Sequence, residues 1–203
     1  MVTLDAQRKR TLQYSNETPS ITHFCEAVGS PIHLANGTRP DIAFAVNSIS
    51  CAQSNPSALD WAAIVCIFHY LKTTLNFGLL FKSESDLLEC HVDASLGTND
   101  PDARSTSGYV ITAFGDVSWC TKKQTHVALS SAEAEYVAAS FACRQFVSLK
   151  HLLSFISKLE KIPIIYEDNK TAIALAKTLE AKSLKHVVPV SYTHLTLPTI
   201  YSV

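Results

Sequence analysis

The hydrophobic period of this chain changes once, near Asn76, and that change narrows the folds open to it. Upstream, residues 22–75 carry apolar side chains at helical spacing; downstream, residues 87–94 alternate, with Leu88, Cys90 and Val92 on one side and His91 and Asp93 on the other. A helical module followed by a sheet-forming one is therefore expected. The first helical piece lies around residues 24–34, interrupted at Gly29-Ser30-Pro31 and ended by the turn Asn36-Gly37-Thr38. A second starts near Pro40, which suits a first helical position, with Asp41 favourable at the positive end of the helix dipole. A third follows Asn55-Pro56 and places Trp61, Ile64, Val65, Phe68 and Leu71 on its apolar side.

Beyond the switch, residues 77–81 are short and apolar and residues 82–86 form a polar connection. The strand over 87–94 ends in Asp93, and the turn-rich loop SLGTNDPDARST follows it. Residues 108–114 and 117–121 read as two strands of a hairpin around Gly115-Asp116. Helical spacing then covers residues 127–142 and, as a second stretch, 144–159, with Phe146, Leu149, Leu152, Leu153 and Ile156 toward a core. Residues 162–166 form a continuous apolar strand of the kind buried on both faces, ending in Glu167-Asp168, and Asn169 caps a helix over 171–177. The order strand, strand, strand, helix, strand, helix predicts an α/β fold: three antiparallel strands, then a helical crossover to a strand parallel to the first.

The stretch VALSSAEAEYVAASFA carries the chemistry. Ser130 or Ser131 caps its helix, with Glu133 placed to close a capping box on Ser130. Glu135 has Ala132, Ala138, Ala139 and Ala142 as helical neighbours, a seam of small residues that lets a helix approach a sheet closely. A carboxylate there is costly without a hydrogen bond or a metal ion. Asp93 and Asp168 end adjacent parallel strands, where ligands gather in such sheets. Together the three acids suit hard divalent cations, and two Mg²⁺ (or Mn²⁺) ions about 4 Å apart promote in-line phosphodiester cleavage. Each acid also has an ordinary role open to it: Asp93 beginning a turn, Asp168 capping a helix, Glu135 facing solvent.

A net charge of −1 lacks the basic excess of a general nucleic-acid binder, so any phosphate contact would be local, through Lys122, Lys123 and neighbouring groups. The cysteines show no CxxC and no Cys/His pairing at ligand spacing, which argues for reduced thiols. The longest apolar run, residues 61–68, is too short to span a bilayer, and the polar first twenty residues do not read as a signal peptide, so no membrane partner and an intracellular location are expected.

The runs SGYVITAFGDVSWCTKKQTHVALSSAEAEYVAAS and IYEDNKTAIALAK closely resemble the ribonuclease H domain of copia-type LTR retrotransposon Pol polyproteins, and AVGSPIHLANGTRPDIAFAVNSIS with FHYLKTTLNFGLLF resembles the segment joining reverse transcriptase to it. The resemblance spans residues 14–187. It implies a polar, disordered stretch at 1–20, a helical end of reverse transcriptase at 21–82, and a ribonuclease H-like mixed sheet with helices at 86–187. It further implies metal-dependent hydrolysis of the RNA strand of RNA–DNA hybrids, with Asp93, Glu135 and Asp168 as catalytic metal ligands for two Mg²⁺ or Mn²⁺ ions. Lys122, Lys123 and His186 become candidate nucleic-acid contacts. The implied partners are the hybrid and the reverse transcriptase and integrase portions of the polyprotein, in a cytoplasmic particle or the nucleus.

Two positions depart from the family pattern. Leu96 stands where a tryptophan is usual, and Val188 where an aspartate is expected before a helix and a last strand. Residues 188–203 (VPVSYTHLTLPTIYSV) resemble translated adaptor sequence, so the sheet is expected to be truncated before its last strand, leaving the edge beside the strand at 162–166 unpaired and the nuclease impaired. The alternative is a non-catalytic Pol remnant that at most binds duplex nucleic acid.

Overall fold

A computed structural model describes residues 20–82, 87–97, 102–156, 163–177 and the backbone of 199–202. The chain divides into two compact units, Met1–Leu79 and Leu80–Val203.

In the first unit, α1 (Ile21–Gly37) is capped by Ser20, whose side chain accepts from the His23 N–H. The expected break at Gly29-Ser30-Pro31 does not occur, and α1 runs through Pro31. Phe24, Val28, Pro31 and Ala35 are all buried and fall on one helical stripe. An internal proline costs about 3 kcal/mol; burying Phe24 and Val28 contributes about 1.5–3 kcal/mol each, which offsets it. A 3₁₀ turn (Pro40–Ile42) leads into α2 (Ala43–Ser50). The third helix, α3 (Ala58–Thr73), opens with a reciprocal capping box between Ser57 and Asp60. Its buried face is Ile64, Ile67 and Leu71. Phe68, expected inside, is 41% exposed, because the face that meets α1 and α2 is rotated toward Ile67.

Arg39 ties this unit together. Its Nε and Nη2 donate to Asp41 at 2.9 and 2.7 Å, and Nη1 and Nη2 donate to the Thr74 carbonyl and hydroxyl at 3.1 and 2.7 Å. The rings of Tyr70 and Phe77 lie 5.6 and 5.9 Å from the guanidinium. The guanidinium hydrogen bond holds the Asp41 carboxyl below its ordinary range.

The second unit is a mixed sheet with strand order β3-β2-β1-β4-β5. β1 (Glu89–Ser95) pairs antiparallel with β2 (Thr106–Thr112), which pairs antiparallel with β3 (Asp116–Lys123). The hairpin turn uses positive φ at Phe114 (66°) and Gly115 (152°), and a Cβ on Gly115 would stand 2.5 Å from the Leu80 carbonyl oxygen. β4 (Ile164–Glu167) is parallel to β1 with Cys90 opposite Ile165 and His91 opposite Tyr166, as the strand order predicts.

Two expectations about this unit are corrected. Residues 131–156 form one helix, α4 (Ser131–Ile156), not two. No glycine or proline interrupts the segment, and the stripe Ala138, Ala142, Cys143, Phe146, Leu149, Leu153 continues across the expected gap onto the sheet. The sheet is not truncated after β4 either: β5 (Thr199–Ser202) lies parallel along its outer edge, Ile164 opposite Thr199 through Glu167 opposite Ser202. An unpaired edge offers a row of backbone donors and acceptors, and Thr-Ile-Tyr is a strand-favouring run able to fill it. The core under α4 contains Leu88, Cys90 and Val92 of β1, Tyr109 and Ile111 of β2, Ile165 of β4, and Ile173 of α5 (Lys170–Lys177). Asn169 caps α5, its Oδ1 accepting from the Thr171 and Ala172 N–H groups.

Candidate metal centre

The first turn of α4 is held from several sides. Ser130 Oγ accepts from the Glu133 N–H at 3.2 Å, while Glu133 Oε2 accepts from the Leu129 N–H at 2.8 Å, one residue before the position a capping box predicts. The buried Gln124 amide donates to Ser107 Oγ and to the Ala134 carbonyl, each at 2.9 Å, fastening the end of β3 and the start of β2 to the turn that carries Glu135. Just past β1, a Cβ on Gly97 would clash with the Arg104 carbonyl oxygen, so only glycine permits that close passage. Glu135 then lies against the end of β1, where the Ala94 N–H donates to its carboxylate. Ala138, Ala139 and Ala142 are buried beside it, as the small-residue seam requires.

Glu135, Glu167 and Asp168 bring one carboxylate oxygen each within 4.8 Å of one another. Glu135 is 6% and Glu167 2% exposed, while Asp168 and Asp93 open to solvent. Oε2 of Glu135 and Oε2 of Glu167 are buried without a hydrogen-bond partner. Burial, then the charges of Glu167, Asp93 and Asp168, push the Glu135 carboxyl up to about 8. Burial, followed by the neighbouring Asp168 and Asp93, pushes Glu167 up to about 7, against the lowering effect of backbone N–H groups.

Of the three acids expected from sequence, Glu135 and Asp168 belong to this close set. Asp93 stands outside it, near enough for its charge to act on both buried glutamates. The pleat is the reason: Asp93 has the phase of His91, opposite to Cys90 and Val92, which face α4. Glu167 has the phase of Ile165 and points under the helix. The alternation Ile165, Glu167 was the available signal for it, an acid in a slot where an apolar side chain fits.

Against curated proteins, the chain is 36% identical over 155 residues to the retrovirus-related Pol polyprotein from transposon TNT 1-94 of Nicotiana tabacum, a match covering 76% of the chain. It is 33% identical over 183 residues, 88% of its length, to the retrovirus-related Pol polyprotein from transposon RE2 of Arabidopsis thaliana. The chain belongs to the copia-type retrotransposon Pol polyproteins. This Pol region spans 12% of the length of each of those two relatives. It also matches a Plasmopara viticola protein named secreted RxLR effector protein 161, at 40% identity over 128 residues, 62% of this chain and 90% of that one. No family model matches the chain.

The candidate nucleic-acid contacts of the Pol region fall elsewhere. Lys122 is exposed at the end of β3, and Lys123 Nζ pairs with Asp102 at 2.7 Å. His186 lies outside the described residues. His91 stacks on Tyr166 with ring centroids 4.8 Å apart, and His126 is exposed. All six cysteines are free thiols, and burial pushes those of Cys90 and Cys143 up to about 12. No helix among the described residues is long and apolar enough to cross a membrane.

Proposed function

We propose that this Pol region is a ribonuclease H-like domain that hydrolyses the RNA strand of RNA–DNA hybrids, using Mg²⁺ or Mn²⁺ held by Asp93, Glu135 and Asp168. The observation that carries the reading is the buried Glu135 carboxylate, which has one oxygen on the Ala94 N–H and the other without a protein partner, beside Asp168 and within the field of Asp93. A donor set made only of carboxylates fits hard cations. Such ions supply an activated water and a stabilised leaving oxygen. The alanine seam and the Gln124 amide fix where Glu135 stands, and the solvent-open Asp93 and Asp168 form the rim that a phosphodiester would approach. In a polyprotein this domain would follow the reverse transcriptase portion and act on its hybrid product.

The test is cleavage of an end-labelled RNA–DNA hybrid by the full chain. RNA fragments should form with Mg²⁺ or Mn²⁺, disappear in EDTA, and fall to background in Glu135→Gln and Asp168→Asn. The rate is expected to be low, because Val188 stands where the family pattern has an aspartate. Cleavage that persists in EDTA or in Glu135→Gln would defeat the reading. Salt-sensitive duplex binding with no cleavage would favour the non-catalytic alternative.

A further inference from the structure

We infer that Glu167 is itself a metal ligand of this centre, so that the inner carboxylate set is Glu135, Glu167 and Asp168, with Asp93 completing it from the outer side. This rests on the metal-binding reading above and adds a residue to it.

The geometry gives three reasons. Glu167 is the last residue of β4 and is 2% exposed, in a slot whose other occupant along the strand is the fully buried Ile165. An apolar side chain would fill that slot without electrostatic cost, so an acid there needs a compensating partner. The side chain is also oriented. Oε1 accepts from the Asn169 N–H at 3.2 Å, Oε2 is buried without a hydrogen-bond partner, and one carboxylate oxygen of Glu167 lies within 4.8 Å of oxygens of Glu135 and Asp168. Finally, the charged groups acting on Glu167 are Asp168 and Asp93, and Glu135 faces it from α4; all three are acids. Among the described residues, the ion pairs leave this cluster without a protein cation. A divalent ion would supply the missing charge and bind through carboxylate oxygens, with water completing its shell.

A protonated Glu167 that merely hydrogen-bonds Glu135 is the competing account. Glutamine reproduces that neutral form, so the two accounts separate on one substitution.

The experiment is titration of the full chain with Mn²⁺, followed by the paramagnetic resonance of the free ion, for wild type, Glu167→Gln, Glu167→Asp, Glu135→Gln and the exposed control Glu26→Gln. Far-UV circular dichroism confirms that each variant is folded. Glu167→Gln should weaken Mn²⁺ binding by about tenfold or more, Glu167→Asp should recover part of the loss, and Glu26→Gln should match wild type. Wild-type affinity and stoichiometry in Glu167→Gln, with binding lost in Glu135→Gln, would overturn the role of Glu167 and leave the metal centre standing. Failure of the wild-type chain to bind Mn²⁺ would overturn both.

Discussion

Replacing Glu167 with glutamine keeps the shape of the side chain and removes its capacity to ionise, and in the metal-free protein it should stabilise the fold. Burial and the neighbouring acids raise the Glu167 carboxyl from an ordinary 4.5 to about 7. That rise corresponds to roughly 3 kcal/mol of cost at high pH, at about 1.36 kcal/mol per pKa unit. Below pH 4.5 the group is protonated in folded and unfolded chains alike and costs nothing. Between 4.5 and about 7 the unfolded chain releases its proton and the folded chain keeps it, so stability falls as pH rises; above that window the deficit stays constant. Water reaching the cluster beside the exposed Asp168 screens part of the cost, which reduces the expected gain to about 1–2 kcal/mol at pH 8. In Tm this is an increase of about 5 °C. Thermal unfolding in EDTA at pH 4.5 and pH 8 measures it. The variant should match wild type at the lower pH and exceed it at the higher. A variant no more stable than wild type at pH 8, or equally stabilised at both values, would refute the charge argument. The same substitution thus raises apo stability while weakening metal binding, the opposite of what a purely structural side chain would do.

Two further substitutions test the packing. Phe146→Ala, at a fully buried position where α4 meets the sheet, should destabilise the second unit by about 3–5 kcal/mol in a denaturant melt. Arg39→Ala strips Asp41 and both Thr74 oxygens of their guanidinium partner; because Asp41 is partly exposed and can be rehydrated, the expected loss is about 2 kcal/mol, confined to the helical unit and visible by hydrogen exchange in α3.

The order from β1 to α5 was legible because each of those strands carries its own alternation or apolar run; β5, which falls in a stretch without such a pattern, was not. Glu135 was legible too, since no other residue in its seam needed explaining. The place of Glu167 beside Glu135 was not. The alternation of residues 87–94 already sets Asp93 on the His91 side, but residues 162–166 read as apolar on both faces, and only the observed pleat puts Glu167 in the phase of Ile165. Local punctuation misled in the first unit, where Gly29-Ser30-Pro31 reads as a break but the buried stripe from Phe24 to Ala35 decides for one helix. Phe68 misled for a related reason: several helical phases accommodate the apolar residues of α3, and tertiary contact selects the one with Ile67 inside.

The placement of Thr199–Ser202 beside β4 bears on how such a sheet tolerates change. Parallel pairing is made by backbone groups, which are the same in every residue but proline. The outer edge of β4 therefore selects for extended shape and β-branched or aromatic bulk, and is nearly indifferent to which residues supply them. Sequence drift beyond α5 can replace the neighbouring strand wholesale while the acids at the end of β4, positioned by β1 and α4 on the inner side, keep their places.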